Sequence, residues 1–231
     1  MSNEHTSSAT VRQPIIAIDG YSACGKSTLA KAMAQQLGYR FIDTGAMYRM
    51  VTLQFLREEI DLKDAAAVAG ALEGMTVDFV PGSNNALLNG EDVETEIRDK
   101  AVSGFVSPVA AVAAVRRWVV PQQQEMGKTG GIVMDGRDIG TVVFPNADLK
   151  LFITANKDIR TDRRLAENQA RGLGISRNDV ATNLAQRDHI DSTRADSPLR
   201  QAEDAIVIDN SGLSLKAFVE MGMKLAKEYC S

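Results

Sequence analysis

The chain has 231 residues, 44% hydrophobic and 24% charged, an ordinary balance for a soluble globular protein and long enough for one domain with or without inserts. Its formal net charge of −4 argues against non-specific binding to nucleic acid or an anionic membrane, and no apolar run approaches the ~18 residues of a membrane span. Residues 1–13 lack the apolar core of a signal peptide, so they read as a disordered tail before a single domain over 14–231. The two cysteines are Cys24 and Cys230. A bridge between them would tie a glycine-rich loop to the C-terminus, so reduced thiols and a cytoplasmic location are expected.

The first predicted strand, 15–19 (Ile-Ile-Ala-Ile-Asp), runs into Gly20-Tyr21-Ser22-Ala23-Cys24-Gly25-Lys26-Ser27, which fits G-x-x-x-x-G-K-[ST]. Good helix formers follow from Thr28. Strand before and helix after are the context in which such a loop cradles phosphates, with backbone N–H groups and a helix N-terminus meeting the anion. Lys26 then supplies a point charge for the β and γ phosphates and Ser27 a hydroxyl for Mg²⁺.

Further strands are expected at 40–42, 131–134, 149–153 and 205–208, with helical stretches between them. Short apolar runs alternating with helices predict an α/β fold, a five-stranded parallel sheet covered on both faces, with ligands at the carboxyl ends of the strands. Residues at about 75–95 read as an inserted antiparallel β subdomain, with Asn89-Gly90 as a turn. A helical stretch at about 95–126 is predicted to break at Pro108 and Pro121. Residues 157–195 read as two charged helices joined through Gly172-Leu-Gly174, with a mobile lid at about 157–175. An amphipathic helix is expected at about 213–229.

Phosphate loops serve switches, motors and small-molecule kinases. A GTP switch needs D-x-x-G soon after the loop, and here that pattern occurs only at Asp209–Gly212, near the C-terminus. Asn156-Lys157-Asp158-Ile159 has isoleucine where a guanine-reading aspartate belongs. A kinase of a phosphorylated substrate must instead bring two anions together, which calls for fixed arginines. Arg49, Arg137, Arg187 and Arg194 each read alone as surface charge first, and their placement after predicted strands or on one helix face brings the functional reading level with it.

Five segments then carry a specific resemblance: Ile18–Thr28, Phe41-Ile-Asp-Thr-Gly-Ala-Met-Tyr-Arg49, Leu88–Val93, Asp135-Gly-Arg-Asp-Ile-Gly-Thr-Val-Val-Phe-Pro145 and Arg187–Arg194. In this order they resemble the bacterial cytidylate kinases, nucleoside monophosphate kinases, over nearly all of residues 14 to the end. The resemblance implies a phosphate-loop kinase fold with a small β insert for the monophosphate and a short helical lid. It implies transfer of the γ-phosphoryl of ATP to CMP or dCMP; Mg²⁺ held with ATP is the expected cofactor, and a monomer acting on small molecules the expected form. By the same resemblance, Gly20–Thr28 hold ATP, and Thr44, Arg49, Arg137 and Arg194 hold the acceptor phosphate. Ser107, Arg116 and Asp138 read the cytosine edge, and Arg187 and Asp191 contact the pentose.

Arg160, Arg163 and Arg164, at helical spacing, resemble lid arginines that close over the transferring group, and Asp135 would orient metal-bound water or Arg137. Tyr21 and Cys24 depart from the family's usual proline and small residue, whereas Thr44 for serine keeps the hydroxyl. Cys24 reads either as a thiol activated by the loop's dipoles or as an inert buried residue. His5 and His189 read as incidental. The alternatives are a kinase of UMP or AMP and a silent nucleotide-binding regulator.

Overall fold

The computed structural model describes residues 12–230; the expected tail over residues 1–13 therefore falls almost wholly outside the described residues. Strand β1 (Ile15–Gly20) is buried along its whole length, as a continuous apolar run between two helical layers requires. Together with β2 (Arg40–Asp43), β6 (Ile132–Gly136), β7 (Leu149–Thr154) and β8 (Ile206–Asp209) it forms a sheet of order β2-β6-β1-β7-β8, every pairing parallel. The register sets Asp43 beside Asp135 and Asp19 beside Gly136 at the carboxyl edge. The chain reverses its direction of travel across the sheet around β1, and the phosphate loop leaves that strand where ligands gather in open α/β sheets.

Helix α1 (Lys26–Leu37) and α8 (Leu215–Tyr229) cover one face through Leu29, Met33 and Phe218 against Ile16, Ile18 and Leu151. The other face buries Ala17, Ile42 and Met134 against a π-helical turn, Ile139–Val143. The largest core surrounds α2 (Thr44–Arg57), where Met47, Met50 and Phe55 meet α3 (Ala65–Glu73), a small sheet and two further helices. That small sheet is antiparallel, β3 (Val77–Phe79), β4 (Ala86–Leu88) and β5 (Glu91–Asp92). Asn89 and Gly90, both left-handed at φ 51 and φ 83, make the turn into β5, as the dipeptide leads one to expect.

The helical stretch that follows breaks elsewhere than at its prolines. Helix α4 (Lys100–Ala111) contains Pro108 and α5 (Ala113–Met126) contains Pro121, and the chain turns by 94° at Val112, which is extended. A proline inside a helix forfeits a backbone bond at a cost of ~3 kcal/mol or more. Burial of Val106, Val109, Val115 and Val119 in the α2 core opposes that cost and keeps both helices continuous. Helices α6 (Lys157–Ala170) and α7 (Arg177–Thr193) pack against each other and are capped by Asn156 and Ser176. Among the described residues no single helix is long and apolar enough to cross a membrane.

Candidate active site

Gly20 opens the phosphate loop at φ 146, and a Cβ there would lie 2.0 Å from the Ile153 carbonyl oxygen, so only glycine lets the loop leave between β1 and β7. Lys26 is 5% exposed; its Nζ donates to the Tyr21 carbonyl at 2.7 Å, and burial, with Arg137 beside it, pushes its pKa down. The Ser27 hydroxyl donates to Asp135 Oδ2 at 2.7 Å, while Asp135 Oδ1 is buried with no protein partner. Burial and the neighbouring Asp43 raise the Asp135 carboxyl from 3.8 to about 7. Asp43 itself caps α2, accepting from Ala46 N at 3.0 Å, and also receives Arg98 at 3.4 Å.

Beside the loop lies a cavity lined by Thr44, Arg49, Ser107, Arg137, Asp138, Arg187, Asp191 and Arg194, with Tyr48 on its wall. These side chains come from α2, α4, the turn after β6, and α7. Gly136 is required in that turn because a Cβ would come within 2.6 Å of Thr44 Oγ1. The turn is held by Asp19, whose carboxylate accepts from Ile139 N at 2.8 Å and Gly140 N at 2.7 Å and is raised by burial to about 6. Thr44 donates to the Asp135 carbonyl at 2.6 Å, and Arg49 donates to the Ile97 carbonyl and Ser103 Oγ, both at 2.9 Å. Arg187 keeps Nε and Nη1 without a protein partner, and burial, with Arg137 and Arg164 nearby, pulls its pKa down to about 10. A cluster of buried cations with spare donors suits a multiply charged anion.

Arg137 joins the two regions. Its Nη2 donates to Ser22 Oγ in the phosphate loop at 2.9 Å and its Nε to Asp191 Oδ2 in the cavity at 3.0 Å. Asp138, 3% exposed, receives Arg116 on Oδ2 and Arg194 on Oδ1 at 3.5 Å; burial pushes its carboxyl up, and the two arginines oppose that.

A family model described as cytidylate kinase matches residues 16–228. The chain belongs to the cytidylate kinase family. A cytidylate kinase of Parabacteroides distasonis is 49% identical over 213 residues, covering 89% of this chain and 93% of that protein. One of Flavobacterium johnsoniae is 50% identical, covering 86% and 90%. A crystal structure of an uncharacterized protein from Eubacterium ventriosum superposes with a TM-score of 0.54 at 13% identity, covering 94% of this chain and 99% of that one, a likeness of fold. The fold is accordingly that of a phosphate-loop nucleoside monophosphate kinase, and the chain is a phosphotransferase.

Of the residues that resemble the family's acceptor-binding set, all but one line the single cavity. Arg116 stands behind its wall, 1% exposed, with its guanidinium 5.4 Å from the Tyr48 ring and locked to Asp138. It therefore meets the Asp138 carboxylate rather than open space. The three arginines of α6 take three settings. Arg160 reaches Asp188 and the Ser22 carbonyl and lies over the Tyr21 ring at 5.3 Å. Arg163 donates to Asn210 at 2.9 Å, and Arg164 pairs with Glu167 at 3.0 Å while lining the crevice between α4 and α7. Cys24 is fully buried in the α1–α8 core, its Sγ 3.7 Å from Lys26 Nζ.

Sequence reasoning passed over Asp19, Asp43, Tyr48, Arg98 and Asp188. Asp43 had a signal, an N-cap residue opening a helix. Asp188 had one too, since it adjoins Arg187 and lies three residues before Asp191 on the same helix. Tyr48, whose hydroxyl is buried without a protein partner, gave none beyond its place before Arg49.

Proposed function

We propose that the protein transfers the γ-phosphoryl group of ATP to CMP or dCMP, yielding ADP and the pyrimidine nucleoside diphosphate, as a cytoplasmic monomer. The observation that carries the reading is Arg137, which bonds the phosphate loop on one side and the cation-lined cavity on the other. Donor and acceptor phosphates placed in these two regions meet at one half-buried guanidinium, the positioning that phosphoryl transfer needs.

ATP lies on Gly20–Thr28 with Lys26 at the β and γ phosphates. CMP lies in the cavity, its phosphate held by Thr44, Arg49, Arg137 and Arg194, its pentose by Arg187 and Asp191. Ser107 donates to the ring acceptors of cytosine, and Asp138, steadied by Arg116, accepts from its amino group. An acceptor phosphate oxygen attacks the γ-phosphorus in line, and the bond to the β–γ bridging oxygen breaks as ADP leaves. The attacking oxygen is already ionised, so no general base is required. Closure of the lid over 157–175 brings Arg160, Arg163 and Arg164 around the transferring group and excludes water that would hydrolyse ATP.

The donor set at the loop fits Mg²⁺, because Ser27 and the unpartnered oxygen of Asp135 are hard oxygen ligands beside the phosphate position. Ser27 would hold the ion, with Asp135 behind it, and the ion would neutralise charge on the β and γ phosphates.

The test is initial-rate ADP release with CMP, dCMP, UMP, AMP and GMP at matched concentration. Highest turnover with CMP or dCMP is expected. ATP binding without transfer to any monophosphate, or a preference for a purine, would overturn the assignment.

A further inference from the structure

Ser22, third in the phosphate loop and 2% exposed, gives each of its polar groups to a different element. Its N–H donates to Asp188 Oδ1 on α7 at 3.1 Å, its carbonyl accepts from Arg160 Nη1 on α6 at 3.1 Å, and its hydroxyl accepts from Arg137 Nη2 at 2.9 Å. Asp188 closes the ring by accepting from the same Arg160 nitrogen at 2.5 Å. Both side chains are shielded, Asp188 at 14% and Arg160 at 7% exposure. Arg137 then continues to Asp191 in the acceptor cavity at 3.0 Å. A buried backbone N–H must find a partner, and a carboxylate is a strong one. Asp188 thus fixes the loop at the point from which Arg137 is aimed.

One residue before Ser22, the Tyr21 carbonyl holds Lys26 Nζ at 2.7 Å. A triphosphate on the loop would compete with the Tyr21 carbonyl for that ammonium and so release the Tyr21–Ser22 peptide. The change lies one hydrogen bond from Arg137 and two from Asp191. Coupling of this kind needs a contiguous network, which is present here, and an element that both sites bias, which the exchange of Lys26 would supply.

We propose that Asp188 is a positioning residue that couples the two substrate sites: by anchoring Ser22 it transmits occupation of the phosphate loop to Arg137, so each substrate raises the affinity for the other. This rests on the transfer reading above. Linkage requires the effect to be reciprocal.

The experiment is isothermal titration of CMP into the protein alone and with saturating Mg²⁺ and a non-hydrolysable ATP analogue, and the reverse titration. The wild type is expected to show a gain of roughly 5- to 50-fold in each direction. In Asp188→Asn the gain should fall to within about twofold while affinity for the analogue alone changes less than about threefold, since the charge that pairs with Arg160 is gone. A purely structural role would lower the melting temperature and both affinities but leave the ratio intact. Should Asp188→Asn fail to fold by circular dichroism, Ser22→Ala carries the test, because it removes only the arm to Arg137 and should still shrink the gain. A wild-type gain near one, or a ratio unchanged in the folded variant, overturns the coupling. Loss of CMP transfer in the wild-type rate panel overturns the functional reading instead, so the two failures are distinct.

Discussion

Replacing Asp138 with asparagine preserves the shape of the side chain and removes its charge. The residue is 3% exposed and its partner Arg116 is 1% exposed, so the variant leaves a buried cation with only the more distant Asp196, at 3.8 Å, as a charged partner. Removing one partner of a buried ion pair costs about 3–5 kcal/mol, and the asparagine carbonyl, still able to accept from Arg116, puts the expected loss near the lower end. The effect on specificity is separable. A carboxylate accepts from the amino group of cytosine but meets the carbonyl of uracil acceptor to acceptor, a mismatch costing about 1–3 kcal/mol, or roughly ten- to a hundredfold in kcat/KM. An amide can turn its NH₂ toward the uracil oxygen, so in Asp138→Asn the preference for CMP over UMP should shrink to within about threefold. Because Arg116 is behind the cavity wall and pairs with Asp138, under the proposed function it acts on the base through that carboxylate, and Arg116→Met should reproduce much of the same loss. The double variant should then be more stable than the two single losses predict, by about 2 kcal/mol. The assay is kcat/KM for CMP and UMP, with denaturant unfolding, across the four-member cycle. Additive stability losses, or a CMP-to-UMP ratio unchanged in Asp138→Asn, would refute the argument.

Lys26→Ala should lower transfer by on the order of 10²–10³ while leaving the melting temperature within a few degrees, because the lost contact acts on the transferring charge; a variant keeping more than about a tenth of turnover would contradict this. Asp19 and Asp135 have folded pKa values of about 6 and about 7 against the usual 3.8, so the folded state retains protons that the unfolded chain releases. Their stabilisation is complete below the unfolded value and is lost as pH rises through about 6 and 7, so the ligand-free melting temperature should fall over that window. Asp135→Asn should reduce the fall and raise the melting temperature at alkaline pH, and an unaltered slope would discount the buried carboxyl. Burial of Cys24 predicts that a thiol reagent modifies half-buried Cys230 first, and that Cys24 reacts only as the protein opens; equal labelling rates in the native state would exclude the buried placement.

The sheet was legible because five short apolar runs, each bounded by polar or glycine residues, admit few arrangements other than buried parallel strands. The phosphate loop was legible because it is contiguous: Gly20, Gly25, Lys26 and Ser27 act from one turn, so spacing along the chain is spacing in space. The acceptor cavity was legible only as separate fragments, through their resemblance to a family. Its members lie on α2, α4, the turn after β6, and α7, and only the parallel register that sets Asp43 beside Asp135 brings them together.

What the tertiary structure alone decided is which charges face one another. Sequence spacing put Arg160, Arg163 and Arg164 on one side of a helix, whereas packing against the loop, Asn210 and the α4 crevice sent them to three different partners. It also turned Arg116 toward Asp138 rather than into the cavity, and Cys24 into the core. The prolines of α4 and α5 show the same limit: a local rule predicted breaks at Pro108 and Pro121, and burial against α2 placed the bend at Val112. Local sequence sets periodicity, turns and caps, because those depend on neighbours along the chain. The pairing of buried charges depends on desolvation by residues far away in sequence, and it is settled only when the chain has folded around them.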